Sequence, residues 1–305
     1  MKKAIVTGAN GFVGGWLVKE LIQNDFFVYA IVKDKKENIS ELQTLQNVKI
    51  EYCELNNIKN LPKIIGENEF DAFFHLAWVG SGGPLRADYN VQLNNVLYSC
   101  DAAAAAKEMN TKRFLCAGTV TEHIVDNTLS QENVSQNMMY GIAKKTTHLM
   151  LNAYTKTIGL DMIWMQFSNV YGPNNMSGNL LSYAFSEISA GKVPEFSKGL
   201  QPYDFIYVND LVRAIVLLAT GKLSQNTYFL GSGEKYKLYE YLEKIPQIIP
   251  NSQVALGKRE EDGVIYKEEW FDTSYLMQDT GFKTQYSFEE GVTETFEWYK
   301  SINQG

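Results

Sequence analysis

Tyr140 and Lys144 have the i, i+4 spacing that places two side chains on one face of a helix. A tyrosine hydroxyl with an ordinary pKa of about 10 is a poor base at neutral pH. A nearby ammonium favours its phenolate, and lowering the pKa by about 3 units corresponds to roughly 4 kcal/mol. Such a pair exchanges a proton with a substrate hydroxyl or carbonyl oxygen. Upstream, Ala117-Gly118-Thr119-Val120-Thr121 closes an apolar run, and Thr119 offers a second hydroxyl for the same oxygen. The tyrosine–lysine spacing also arises by chance, so its meaning depends on the rest of the chain.

Thr7-Gly8-Ala9-Asn10-Gly11-Phe12-Val13-Gly14 carries the spacing GxxGxxG between a short apolar run and a helical pattern. Gly8 permits a tight turn, Gly11 lets the backbone approach a pyrophosphate, and Gly14 lets helix and strand pack closely. The free N–H groups and dipole of the helix N-terminus then face the anion. Asn10, Phe12 and Val13 join the three glycines as candidate dinucleotide contacts. An NAD site usually has an acidic residue about 20 positions past the glycine loop, on the 2′-hydroxyl of the adenosine ribose. Here Val32 is followed by Lys33, Asp34, Lys35 and Lys36. Lysine attracts a 2′-phosphate, so Lys33 favours NADP(H); Asp34 leaves NAD(H) possible.

The elements that would position these residues alternate. Residues 4–7, 27–32, 48–53, 71–77, 113–117 and 161–167 read as strands, and Phe12–Gln23, 87–109 and 137–158 as helices. This alternation predicts an α/β fold, a Rossmann-type doubly wound parallel sheet. After Tyr171-Gly172-Pro173 the pattern is mixed. Helices are expected over 180–190, 210–220, 238–248, 273–281 and 287–301, with strands at 205–208 and 227–230. The division expected is a nucleotide domain over 1–170 and a smaller substrate lobe over 171–305, some of whose segments return to the first.

With 305 residues, 45% hydrophobic and 21% charged, the chain has the composition of an ordinary globular protein. The net charge of -7 argues against a nucleic-acid partner. It does not count backbone N–H groups, so it leaves anionic ligands open. The apolar run after Lys2-Lys3 is too short for a signal peptide, and no stretch is long enough for a membrane span. A cytoplasmic location is expected. Cys53, Cys100 and Cys116 lack metal-ligand spacing, and His75, His123 and His148 form no close pair. No metal site is expected.

Taken together, the GxxGxxG loop, His75-Leu76-Ala77, Asn95-Val96, Thr119, Tyr140 with Lys144, and Asn169-Val170-Tyr171-Gly172-Pro173 resemble the extended short-chain dehydrogenase/reductases. The resemblance is to their NAD-dependent epimerase/dehydratase family, which acts on nucleotide sugars. It implies that Tyr140 exchanges a proton with a sugar oxygen, that Lys144 holds the nicotinamide ribose, and that Thr119 orients the substrate oxygen. It also implies that Glu54-Leu55 lies near the adenine, Ala77 lines the cofactor with its backbone, and Asn95 supports the active site. On the substrate side it implies roles for Thr121, Asn169 and the pair Asn179-Leu180. Phe196 would cover the base, Arg259 meet the diphosphate, and Asp262 the ribose. Many members form homodimers through the two helices matching 87–109 and 137–158.

Departures from the family pattern narrow the chemistry. The 4,6-dehydratases carry Thr-Asp-Glu where this chain has Thr119-Val120-Thr121, so dehydration is not expected. Epimerisation at carbons 3 and 5 uses a Cys where Thr121 stands and a later His, and no His follows His148. Residues 117–123 resemble an AGSxxEY motif, with His123 in place of its tyrosine. Gln166 and Tyr203 stand where arginines are frequent, which would shift the diphosphate toward Arg259, Lys198 or Lys258. The leading expectation is NADPH-dependent reduction of a 4-keto-6-deoxy sugar nucleotide. The alternative is a 4-epimerase with tightly bound NAD, and a third is a non-catalytic nucleotide-binding regulator.

Overall fold

In the computed structural model, which describes residues 1–125, 138–262 and 264–303, the β-prone runs pair edge to edge. The first six strands are β1 (Lys2–Thr7), β2 (Phe26–Val32), β3 (Val48–Tyr52), β4 (Ala72–His75), β5 (Arg113–Thr119) and β6 (Met162–Phe167). Between them lie α1 (Phe12–Gln23), the short α2 (Ser40–Gln43) and α3 (Leu61–Ile65), then α4 (Tyr89–Glu108) and α5 (Met139–Ile158). The helix expected over 137–158 therefore starts at Met139; Asn137 lies outside the described residues.

The later elements begin with β7 (Asn169–Tyr171), α6 (Leu180–Ser189), β8 (Pro202–Tyr203), β9 (Phe205–Tyr207) and α7 (Val208–Thr220). They end with β10 (Thr227–Leu230), β11 (Tyr236–Lys237), α8 (Leu238–Ile248), α9 (Ser274–Thr280) and α10 (Phe288–Asn303). A seven-stranded sheet runs β10-β6-β5-β4-β1-β2-β3, with every neighbouring pair parallel. This is the Rossmann-type doubly wound architecture. Two two-stranded pairs, β11–β8 and β7–β9, lie outside it. The late strand β10 joins the sheet beside β6, and α7 packs against α1.

The period-two alternation of the strands sorts their side chains between two cores. Val6, Val28, Ala30, Phe74 and Met165 face α1 and α7. Ile5, Tyr29, Phe73, Phe114 and Trp164 face α3, α4 and α5. The small residues Ala102, Ala103, Ala105 and Ala106 are buried on α4, where they let the helix approach the sheet closely. Cys53 and Cys116 are buried as free thiols. A third, aromatic core holds the C-terminal elements around Tyr171, Phe205, Tyr241 and Phe288.

Asp204, fully buried between β8 and β9, ties this last region to the sheet. Its carboxylate accepts from the Ser232 N–H at 3.0 Å, and its carbonyl from Ser168 Oγ at 2.7 Å and Asn169 Nδ2 at 3.0 Å. Burial pushes the carboxyl pKa up to about 6, against the hydrogen bonds from Ser168 and Ser232, from an ordinary 3.8. Between those values the folded protein holds more protons than the unfolded chain, so this group's contribution to stability falls as pH rises. Relative to Asp204→Asn, the wild type is expected to lose about 1 kcal/mol of unfolding free energy between about pH 5 and about pH 7.5. Urea unfolding at the two pH values measures this; a pH-independent difference would contradict it.

Candidate functional site

Every parallel strand of the sheet ends on the same edge, where Gly8, Lys33, Glu54, Leu55, Ala77 and Thr119 lie. The chain leaves β1 through Gly8, whose φ of 69° lies in the left-handed region open to glycine. The turn closes with Gly11 N–H donating to Gly8 O at 3.0 Å. A Cβ on Gly14 would stand 2.0 Å from Gly8 O, so only glycine lets α1 seat this close. Gly11 is the N-cap of α1 and supplies no side-chain acceptor, which leaves the first N–H groups of the helix for an anion.

Two cavities flank this turn. One, of about 320 Å³, is lined by Gly8, Asn10, Lys33, Glu54, Leu55 and Ala77, among others. The other, of about 350 Å³, is lined by Asn10, Gly11 and Phe12. Of Lys33, Asp34, Lys35 and Lys36, Lys33 lines the first cavity. Lys35 leans over the Tyr52 ring, and Asp34 accepts from the Lys36 N–H at 2.7 Å. A residue absent from the sequence reading, Glu37, lines both cavities, and its Oε2 lies 3.4 Å from Asn10 Nδ2. Glu37 is five positions past the end of β2, so no fixed spacing from the glycines flagged it.

His75 is a tie within the sheet edge. Its Nδ1 meets Thr7 Oγ1 at 3.0 Å and its Nε2 meets Ser99 Oγ at 3.2 Å. Burial pushes its pKa down to about 3, so the ring is neutral. Asn95 acts one layer back from the cavity. It donates to Val79 O at 2.8 Å and accepts from Val79 N–H at 3.0 Å, fixing a residue of the cavity wall.

The end of β5 brings the hydroxyl groups together. Thr119 Oγ1 and Thr121 Oγ1 are 2.6 Å apart, and the Thr119 side chain acts on the Tyr140 hydroxyl from the end of β5. Lys144 is buried; its Nζ donates to Ala117 O at 2.7 Å and sits 3.7 Å from the centre of the Trp78 ring. Burial pushes the lysine pKa down to about 8, with Cys116 and Glu122 acting in the opposite direction. Tyr140 has its pKa raised, chiefly by burial and further by Glu122, against a lowering pull from Arg86 and from the Thr119 hydrogen bond. Trp78 lines the first cavity and meets the Tyr140 ring edge-on at 6.0 Å, so cavity and hydroxyl pair adjoin.

Glu122 is the other residue the sequence reading passed over, although it lies inside the segment 117–123. Its carboxylate is fully buried. It accepts from Thr119 N–H at 2.8 Å, Trp164 Nε1 at 3.1 Å and Gln166 Nε2 at 3.3 Å, and pairs with His148 Nδ1 at 3.1 Å. Gln166, standing where an arginine is frequent, is thus committed to this carboxylate. Tyr203, the second such position, donates to Asn169 Oδ1 at 2.9 Å.

The remaining substrate-side candidates separate into groups. Asn179 caps α6, accepting from Ser182 N–H at 3.0 Å and donating to Val170 O, with Leu180 opening the helix behind it. Phe196 is buried and meets Tyr183 edge-on, while Arg259 Nη2 donates to Tyr183 OH at 2.6 Å, so Tyr183 joins these two. Asp262 accepts from Tyr266 OH at 2.9 Å. Among the described residues no group of three or more His, Cys, Asp or Glu side chains is placed to hold a metal ion, and no helix is long and apolar enough to cross a membrane.

Residues 4–231 match the model of the NAD dependent epimerase/dehydratase family. A dTDP-glucose 4,6-dehydratase of Haemophilus influenzae is 27% identical over 341 residues, covering 98% of each chain. Among solved structures, a UDP-N-acetylglucosamine 4-epimerase from Methanobrevibacter ruminantium, in complex with UDP-N-acetylmuramic acid, aligns with a TM-score of 0.80 at 25% identity over 99% of each chain. A UDP-glucose 4-epimerase of Thermotoga maritima with UDP-glucose has the same fold, with a TM-score of 0.81 at 21% identity over 99% of each chain.

The donors around Glu122 give a direct test. Glu122→Gln removes the charge and turns an amide N–H toward groups that are themselves donors. The expected loss of unfolding free energy is about 3 kcal/mol, read from urea denaturation. A loss below about 0.5 kcal/mol would mean that the carboxylate does not hold this turn.

Proposed function

The chain belongs to the NAD dependent epimerase/dehydratase family, and from that premise we propose that it is a nucleotide-sugar 4-epimerase working with bound NAD. The observation that carries the redox reading is Tyr140 adjoining the glycine-loop cavity through Trp78, with the Thr119 hydroxyl at the end of β5 acting on it. Gly8, Gly14 and the uncapped start of α1 fit the pyrophosphate of a dinucleotide. When bound, nicotinamide supplies hydride acceptance from, and return to, a sugar carbon. Tyr140 takes the proton of the sugar hydroxyl as that carbon is oxidised and gives it back on reduction. Thr119 holds the reacting oxygen. Lys144 lies on the same helix face, placed to hold the nicotinamide ribose.

The preference for NAD over NADP rests on Glu37. A carboxylate beside Asn10 repels a 2′-phosphate and accepts from a 2′-hydroxyl. Lys33 on the same cavity keeps a second reading, NADPH-dependent reduction of a 4-keto sugar. Dehydration is not proposed: the one carboxylate in the segment 117–123 is Glu122, and it is occupied by Thr119, Trp164 and Gln166. The nucleotide-sugar substrates named for the related structures support the substrate class.

A homodimer is also proposed. Tyr89, Leu93 and Leu97 recur every fourth residue on α4 and are exposed, beside exposed Leu149 and Met150 on the neighbouring α5. Such an apolar stripe across two packed helices suits a second copy of the same surface.

Purified protein is expected to release NAD on denaturation and to convert a UDP- or dTDP-hexose to its 4-epimer without net nicotinamide change. Tyr140→Phe should lower turnover at least about a hundredfold while keeping the cofactor. Stoichiometric NADPH oxidation by a 4-keto sugar would replace this reading with the reductase. For the dimer, Leu93→Glu should halve the mass seen by sedimentation; an unchanged mass would place any interface elsewhere.

A further inference from the structure

We propose that Arg86 is a further positioning residue for Tyr140, a second cation that favours its ionised form alongside Lys144. The guanidinium carbon stands 4.0 Å from the centre of the Tyr140 ring, whereas Lys144 Nζ is 5.9 Å from it. Lys144 Nζ also donates to Ala117 O and lies over the Trp78 ring. A flat guanidinium stacks on an aromatic face in a way an ammonium does not, and while burial pulls the Arg86 pKa down, the Tyr140 side chain pulls it up. A cation this close favours the phenolate over the phenol.

The segment carrying Arg86 is held from behind. Gln92, buried on α4, donates to Gly80 O and Leu85 O, both at 3.0 Å, and accepts from Trp78 Nε1 at 3.0 Å. Asn95 clips Val79, and Asp88 caps α4 by accepting from Asn90 N–H at 2.9 Å. Gly80 lets the loop fold on itself, since a Cβ there would lie 2.8 Å from Leu85. Arg86 Nη1 donates to Ser81 O at 2.6 Å, which fixes the guanidinium plane. Two buried amides of α4 therefore hold the segment that brings both Trp78 and Arg86 to the Tyr140 ring.

Among the described residues, the charged groups acting on Tyr140 come from three elements: Arg86 from this loop, Lys144 from α5 itself, and Glu122 from the turn after β5. Burial and Glu122 oppose ionisation, and Arg86 opposes them. Removing Arg86 leaves that balance tilted to the neutral phenol.

The inference rests on Tyr140 as the proton carrier, and its test separates the two. Tyrosinate absorbance is titrated in wild type against Tyr140→Phe, and in Arg86→Gln against the Arg86→Gln/Tyr140→Phe double variant. The difference isolates one hydroxyl and needs no substrate. The Tyr140 midpoint is expected to rise by about one pH unit or more in Arg86→Gln, with an intermediate rise in Arg86→Lys. The same displacement should appear in the acidic limb of the kcat/KM profile, where activity rises as Tyr140 becomes the phenolate. Equal midpoints in wild type and Arg86→Gln overturn the proposal. So does a raised KM with an unmoved pH profile, which would make Arg86 a ligand of an anionic substrate group. Full activity of Tyr140→Phe would sink the functional reading and leave the titration result standing. Arg86→Lys, which keeps the charge, preserves the test if Arg86→Gln does not fold.

Discussion

A carboxylate with no solvent contact must be held by donors or it destabilises the fold. Glu122 meets that condition with three N–H groups and the His148 ring. Those partners come from the end of β5, from β6 and from α5, the elements that deliver Thr119, Gln166 and Tyr140. His148 extends the network, since it stacks on Trp164 at 4.7 Å and its Nε2 reaches Thr227 of β10 at 3.0 Å. One buried charge thus fixes the relative position of four elements under the candidate site. Gly118 is part of the same constraint, because a Cβ there would strike Trp164 Nε1 and the Glu122 carboxylate.

The chemistry placed on that frame is a contest between burial and charge. Burial raises the tyrosine pKa and lowers that of the lysine, so each moves toward its neutral form. A site that needs to exchange a proton near neutral pH has to offset the first effect. The loop before α4 brings a guanidinium to the ring, and the amides of Gln92 and Asn95 hold that loop through its backbone. At the other end of the cavity the sign reverses. Glu37 puts a negative charge beside the glycine turn, where the sequence reading had given that end to Lys33.

The C-terminal residues show how a local match differs from a placement. Asn179 and Leu180 stand at a helix start, as their resemblance implies, and the asparagine side chain serves as the cap of that helix. Phe196 and Arg259 come together, and what joins them is Tyr183, which no motif singled out. Tyr203 and Gln166, where arginines are frequent, each satisfy a neighbour's acceptor, Asn169 and Glu122.

The alternation of strands and helices, the parallel sheet, the glycine turn and the i, i+4 pair of Tyr140 and Lys144 were legible in the sequence. Each follows from a local rule: a period of two or 3.6 residues, a left-handed φ at Gly8, or the lack of room for a Cβ at Gly14. Tertiary structure alone decided which cation meets Tyr140, which donors hold Glu122, and which acid faces the glycine turn. Those outcomes depend on loop closure and on packing between residues remote in the chain. A charge acts through distance in space, and the spacing of residues along a sequence does not report that distance.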